Sequence, residues 1–387
     1  MTTEVKIRLR SNADDTELRC LDVKIGRKTI TTPTKAISTN NFYKDTSFPE
    51  ELSDLQELFM RFNEDSLKKL NEDTKESVKK NNKLARDKKK ANNSPHFCLL
   101  EFKNKGEDWR YPIESEIEIL TNTAYSHSEI TPIPSIPKVA RKLDANNFES
   151  FVEYIDACYE SIEVRNKKSI MGYIPATAPL FSRILINYYL DRGINTFYVD
   201  YDGTMITSRL DSLNAMKREL TKRGYEENNF MHFVNVSYGK SINDQKVLSA
   251  RDILGFGYGL DSLGGMHAGP KGDPAFFEKL KAMKNVQANV KRLLNIEDYG
   301  YYRFDLVKDK LEDLYPKDAL IKKEDLDIGV NSRVEKYLKI VNLQQQCLEA
   351  DKLVQITDEN PGKSLDYFKS KKNVVETDLK RLSKSTT

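Results

Sequence analysis

The chain has 387 residues, 39% of them hydrophobic and 31% charged, with a formal net charge of +3. That is enough for one large domain or two ordinary ones, too apolar for a disordered chain, and too nearly neutral for global charge to argue for or against nucleic acid. No apolar run approaches the ~20 residues of a membrane span, and MTTEVKIRLRSNADD lacks the apolar core of a secretory signal, so a soluble, cytoplasmic protein with no membrane partner is expected.

Residues 1–40 read as β structure: VKIRLR, RCLDVKIG and KTITTP alternate or are β-branched, with Gly26 at a turn and Pro33 closing the run. Residues 50–94 read as a polar helical insertion, with Leu52, Leu55, Leu58, Phe59 and Phe62 as one stripe at helical spacing before Lys takes over. HFCLLEFK at 96–103 is a candidate buried strand and IEIL at 117–120 another. SEITPIPSIPK at 128–138 carries three Pro and is expected to be a loop, neither central strand nor helix. NNFESFVEYIDACYESIEVRNKK is a helix with Phe148, Phe151, Val152, Ile155 and Cys158 facing inward.

Residues 169–236 are the most regular part. SIMGYIPA, INTFYVDYDG and NFMHFVNVSYG read as strands; between them lie two helices that stop at Gly193 and Gly224. Strands and helices in alternation mean parallel strands joined by crossovers, with chemistry at the C-terminal strand ends. Next, SARDIL closes a short helix, and a segment dense in Gly runs from Gly255 to Gly269. Residues 275–294 and 303–350 read as helical, and 356–387 as a Lys-rich helix that frays. Roughly seven to nine candidate strands across 1–270 fit an α/β barrel with insertions better than an open doubly wound sheet, whose exclusion element order alone does not give. The division expected is a barrel over 1–300, with its insertion near 50–94, and a helical C-terminal extension over 301–387.

Several residues stand where chemistry is expected. Asp200 and Asp202 are two apart, so a regular strand would turn both to one face; Asp202 is equally suited to cap the next helix. Asp261 and His267 lie in the Gly-rich segment with Gly259, Gly264 and Gly265, where backbone amides are free to approach a ligand. Tyr173 and Tyr201 sit near strand ends and offer ring faces to a planar base. Neither the P-loop nor the dinucleotide fingerprint is present. Cys20, Cys98, Cys158 and Cys347 are scattered and read as reduced thiols, and the four His form no ligand pattern. No cofactor and no metal is therefore expected, although ligands from distant residues stay open.

CLDVKIGRKTITTPTKAIS and NFMHFVNVSYGKSINDQKVLSARDILGFGYGLDSLGG together resemble the opening β segment and the late barrel of the tRNA-guanine transglycosylases. The resemblance implies a (β/α)8 TIM-like barrel and a pentosyltransferase that replaces guanine in a nucleic acid, tRNA or DNA, by a 7-deazaguanine base. It implies a covalent Asp–sugar intermediate, with Asp261 as candidate nucleophile and Asp200 as its partner or base-recognition residue. A homodimer is consistent with it. The family's C-x-C-x-x-C zinc motif is missing, and the place of its nucleophile falls at Leu263–Gly265, which points to a divergent member.

Two other readings compete. A barrel enzyme on a small phosphorylated or carboxylated substrate would hold the anion in the Gly-rich loop at 255–269, with Asp200 or His267 as acid or base. A non-catalytic nucleic-acid binder would rely on the Lys-rich segments 78–90 and 369–384. Base exchange further predicts Asp200 and Asp261 within about 8 Å of one another.

Overall fold

The computed structural model describes residues 4–39, 52–89, 94–104, 110–165, 167–239, 245–269, 291–307, 311–326 and 332–383. Val5–Asn12 (β1), Arg19–Ile25 (β2) and Lys28–Thr31 (β3) form an antiparallel sheet, as the alternation at the N-terminus predicts. β1 is its edge, with Lys6, Arg8 and Arg10 on the exposed positions, which protects the edge from further pairing. Gly26, at φ 62°, makes the tight reversal into β3.

The larger sheet is parallel. Thr34–Lys35 (β4) and Ile37–Ser38 (β5) are two ends of one extended segment, followed by Gln56–Asn63 (β6), His96–Lys103 (β7), Thr131–Pro132 (β8), Ile170–Ile174 (β9), Thr196–Asp200 (β10) and Phe230–Val234 (β11). Val247–Ser249 (β12) precedes Ser262–Leu263 (β13). One six-stranded parallel sheet has the order β4-β13-β11-β10-β9-β8, and β5-β6-β7 form a parallel trio. Between β4 and β5, the Ala36 N–H donates to Leu263 O at 2.9 Å while the Ile37 N–H donates to Leu55 O at 3.0 Å. At the other edge Glu101 on β7 bridges to Ser135, just past β8, through bonds of 2.7 and 2.8 Å. The pairings thus lead from β4 through β13, β11, β10, β9 and β8 to β7 and β6, and back to β5. Every residue of β10 and β11 is buried, as a parallel sheet covered on both faces requires.

Helices fill the crossovers: Glu64–Glu72 (α1) and Thr74–Lys89 (α2) after β6, Glu114–His127 (α3) after β7, Pro137–Ala140 (α4) and Phe148–Glu163 (α5) after β8, Pro179–Asp191 (α6) after β9, and Leu210–Lys222 (α7) after β10. Arg251–Leu254 (α8) follows β12, as expected. The fold is therefore mixed α/β, with a large parallel sheet and many helices.

Four sequence expectations are corrected. The part of the stripe from Leu58 to Phe62 belongs to a strand, not a helix: β6 buries Leu58, Met60 and Phe62 on one face and Glu57 on the other, and so short an apolar run satisfies either period. IEIL is part of α3, not a strand; Ile117 and Leu120 are buried on one helical face. The Pro-rich stretch does pair within the sheet. Pro132 and Pro134 fall on alternate positions, so the N–H groups of Thr131 and Ile133 remain to bond Ser169 O and Met171 O on the β9 side. Finally, Arg292–Asn295 (β14) and Gly300–Arg303 (β15) are strands that form a small antiparallel sheet with β12. Of the helix expected over 275–294, residues 275–290 lie outside the described residues. The long helix begins only at Ser332, runs to Glu359, and packs on β14, β4, β1 and β2.

Candidate functional site

Glu57, at the second position of β6, is completely buried. Its Oε2 lies 3.0 Å from His232 Nε2 on β11; its Oε1 lies 2.9 Å from His267 Nε2 and accepts the Gly265 N–H at 2.5 Å. Burial alone would push this carboxyl up, but the two imidazoles outweigh it and hold Glu57 well below the usual carboxylate range. An ionised carboxylate only accepts, so both Nε2 atoms carry hydrogen. In the neutral His267 ring this leaves the lone pair on Nδ1, which bonds nothing among the described residues. His232 Nδ1 meets Ser262 Oγ at 2.9 Å, closing the network on β13.

The strand end after β13 is shaped around that carboxylate. A Cβ at Gly264 would stand 2.5 Å from Glu57 Oε2, and one at Gly265 would stand 2.6 Å from Oε1. Both glycines are therefore required for close approach. Lys35 Nζ, buried beside them, donates to the carbonyls of Leu263 and Gly264 at 3.0 and 2.6 Å. His267 stacks on Phe59 of β6 at 4.1 Å. The Arg61 guanidinium covers the Phe59 ring at 5.2 Å, donates to the His267 carbonyl, and pairs with Glu101 of β7 at 2.9 Å.

A second carboxyl stands at the same strand edge. Asp200 ends β10, and its Oδ1 accepts the Asn235 Nδ2 and the Asp202 N–H, each at 2.7 Å. Burial pushes Asp200 up, against the pull of these bonds. Asn235 follows β11 in a left-handed conformation (φ 59°), and its Oδ1 accepts the N–H groups of His267 and Ala268 at 2.5 and 2.6 Å. One side chain thus ties Asp200 to the loop that carries His267, and His267 to Glu57.

Asp202 does not share the strand face with Asp200. Asp202 and Gly203 are both left-handed (φ 49° and 72°), so the strand has ended, and Arg141 forks the Asp202 carboxylate at 2.8 and 2.6 Å. Tyr173 is buried with its ring against Tyr198 at 5.0 Å, so that face is not open for a base. Tyr201 is buried and packs on Phe233 at 5.9 Å.

Asp261 lies elsewhere. It precedes β13 at the N-terminal edge, completely buried, with Arg19 donating to both carboxylate oxygens at 2.7 Å and the Met231 N–H donating at 2.8 Å. Asp200 is opposite Val234 on β11, three residues beyond Met231, or about 10 Å further along the strand at ~3.3 Å per residue. The two aspartates are not brought together. Gly259 is also at that far edge: it is left-handed (φ 79°), and a Cβ there would stand 2.7 Å from Glu17 O and Lys217 Nζ. Gly255 and Gly257 are pressed against Leu260 and against Phe368 and Leu382, so the first half of the Gly-rich segment packs the fold. The Gly265 amide is already bonded to Glu57.

Sequence reasoning missed Glu57, Asn235, Arg61 and Glu101. The signal for Glu57 was its place in QELFMRF, once that run is read with period two. Of the basic segments, 78–90 falls on α2, where Lys79, Lys83 and Arg86 are exposed. Among the described residues, no three His, Cys, Asp or Glu are grouped to hold a metal, and all four cysteines are free and buried. No described helix is long and apolar enough to cross a membrane. Comparison of the chain with protein-family models and with curated proteins finds no match.

Proposed function

We propose that the chain is a closed (β/α)8 barrel enzyme that exchanges a nucleobase on a nucleic-acid sugar, with the chemistry carried by Asp200, His267 and Glu57. The return of the strand pairings from β13 to β4 and from β6 to β5 supports the closed barrel. The observation that carries the function is the pairing of opposites at one strand edge. Asp200 is pushed up by burial, Glu57 is held down by His267 and His232, and Asn235 links the two. Two carboxyls driven apart in this way are suited to separate acid and charge-stabilising roles in glycosyl transfer.

In this reading Asp200, its carboxyl pushed up by burial, meets the charge that appears on the departing base. Glu57 orients His267 and steadies its protonated form. The bond from sugar C1′ to the departing ring nitrogen breaks with its electron pair going to that base. The bond to the incoming ring nitrogen forms, and the proton lost by the incoming base passes through His267 to the departing one. Arg61 and Arg141 at this edge are engaged by Glu101 and Asp202, and Arg209 bonds the Thr177 carbonyl and the Thr204 hydroxyl. The resemblance supplies the rest: guanine leaving, a 7-deazaguanine base entering, tRNA or DNA as carrier.

Labelled guanine and labelled 7-cyano-7-deazaguanine offered with bulk tRNA and with duplex DNA test this. Label should enter one polymer, and Asp200→Ala and His267→Ala should each reduce it by roughly 10²–10⁴-fold. Absence of label in both polymers from a folded protein would overturn the proposal.

A further inference from the structure

One polar group at this edge is left over from the network. Tyr173 on β9 is completely buried, its backbone N–H and C=O are both bonded to the Tyr189 hydroxyl at 3.1 and 2.9 Å, and its own hydroxyl has no hydrogen-bond partner among the described residues. An orphaned buried hydroxyl is costly and calls for a partner. Its surroundings say where that partner would sit. Tyr198 is opposite Tyr173 in the β9–β10 register, so Asp200, two residues on, is the diagonal neighbour on the same face. After burial, Asp200 is the group that acts most strongly on the Tyr173 phenol, ahead of Tyr198, Glu101 and Asp202. Among the described residues both donors to Asp200 go to Oδ1, and none goes to Oδ2.

We propose that the Tyr173 hydroxyl and the Asp200 carboxyl form a two-donor clamp on the carbonyl oxygen of an uncharged heteroaromatic lactam. The identity of that ring as the exchanged base rests on the glycosyl-transfer reading; the clamp itself does not. A tyrosine hydroxyl beside a neutral carboxylic acid is a known way to hold an oxygen that gains negative charge. When the sugar–base bond breaks, the electron pair enters the ring and charge reaches the carbonyl oxygen. Both donors then bind it more tightly than in the intact substrate, which lowers the barrier without a proton leaving either group. Burial raises the Asp200 carboxyl and so favours the protonated form, in which it donates. The Tyr173 ring contributes no stacking face, because Tyr198 covers it.

The test is calorimetric titration of the full chain with hypoxanthine, which carries the ring carbonyl, and with purine, which lacks it, alongside the label-exchange assay. The wild-type protein should bind hypoxanthine about tenfold or more tightly than purine. Tyr173→Phe, which keeps the ring, should remove most of that preference and leave purine binding unchanged. Asp200→Ala should also remove it, whereas Asp200→Asn, whose amide still donates, should retain part. Equal binding of the two rings, binding of neither, or full preference in a normally melting Tyr173→Phe protein would overturn the clamp. A clear preference without label exchange would leave the clamp standing and reject the exchange reading alone.

Discussion

Gly264 leaves open the space that the Glu57 carboxylate fills: a Cβ on Gly264 would lie 2.5 Å from Glu57 Oε2 and 2.8 Å from Val234 Cγ1. Gly264→Ala should therefore displace Glu57 or open the β11–β13 pairing. A loss of about 1–3 kcal/mol is expected, read as a lowered denaturation midpoint, with loss of base exchange. Unchanged stability would mean that the strand end yields freely.

Glu57→Gln keeps the shape but turns an acceptor oxygen into a donor facing an imidazole N–H. With the Glu57 carboxyl held well below its ordinary value near 4.5, its contribution to stability is present above that value and is lost as pH falls toward the folded-state pKa. Acid titration of stability should thus show a steeper loss below about pH 4.5 in the wild type than in Glu57→Gln. Parallel acid limbs would remove Glu57 from this account.

Arg19 and Asp261 form a fork at the opposite strand edge, with Asp261 fully buried. Arg19→Met would leave that carboxylate without its partner, at a cost of about 3–5 kcal/mol. Asp261→Asn should destabilise the protein as well, and exchange per folded molecule should stay within a few-fold of wild type. Abolished exchange in a fully folded Asp261→Asn protein would return the chemistry to Asp261.

Asn235 holds a left-handed backbone and three hydrogen bonds at once. Asn235→Gly relieves the backbone strain, of order 1–3 kcal/mol, so stability should change little. It unties Asp200 from His267, so exchange should fall at least tenfold. The readout is the ratio of activity to melting temperature across the two proteins.

Glu349, on the long helix, is pushed up to about 7 by burial, while Tyr299 and Tyr367 donate to it. A raised carboxyl favours the folded state while protonated, and that advantage is lost as pH rises from about 4.5 through about 7. Stability should fall across this window by up to ~1.4 kcal/mol per pH unit, and Glu349→Gln should flatten the slope.

The regular middle of the fold was legible because local chemistry punctuates it. Gly193 and Gly224 end α6 and α7 with left-handed residues (φ 71° and 72°), and the strands between are continuous apolar runs. β6 was not, because an apolar run this short fits either period. β8 was hidden by Pro at positions that happen not to donate toward β9. The site was legible in part. Asp200 and His267 announced themselves as polar residues at strand ends, whereas Glu57 meets His232 and His267 across 175 and 210 residues of chain, where no local spacing exists to be read. Asp261 looked the better nucleophile because sequence does not tell which end of a two-residue strand an aspartate occupies.

The pairing of β4 with β13 also sets an order of events in the cell. Thr34 and Lys35 emerge from the ribosome early, yet their partners Ser262 and Leu263 come far later, and the helix from Ser332 that packs on β4 later still. The first strand of the parallel set must wait for much of the chain to be made before it can pair. Contacts so distant in sequence make for slow folding and for a nascent chain that depends on protection from aggregation until synthesis is nearly finished.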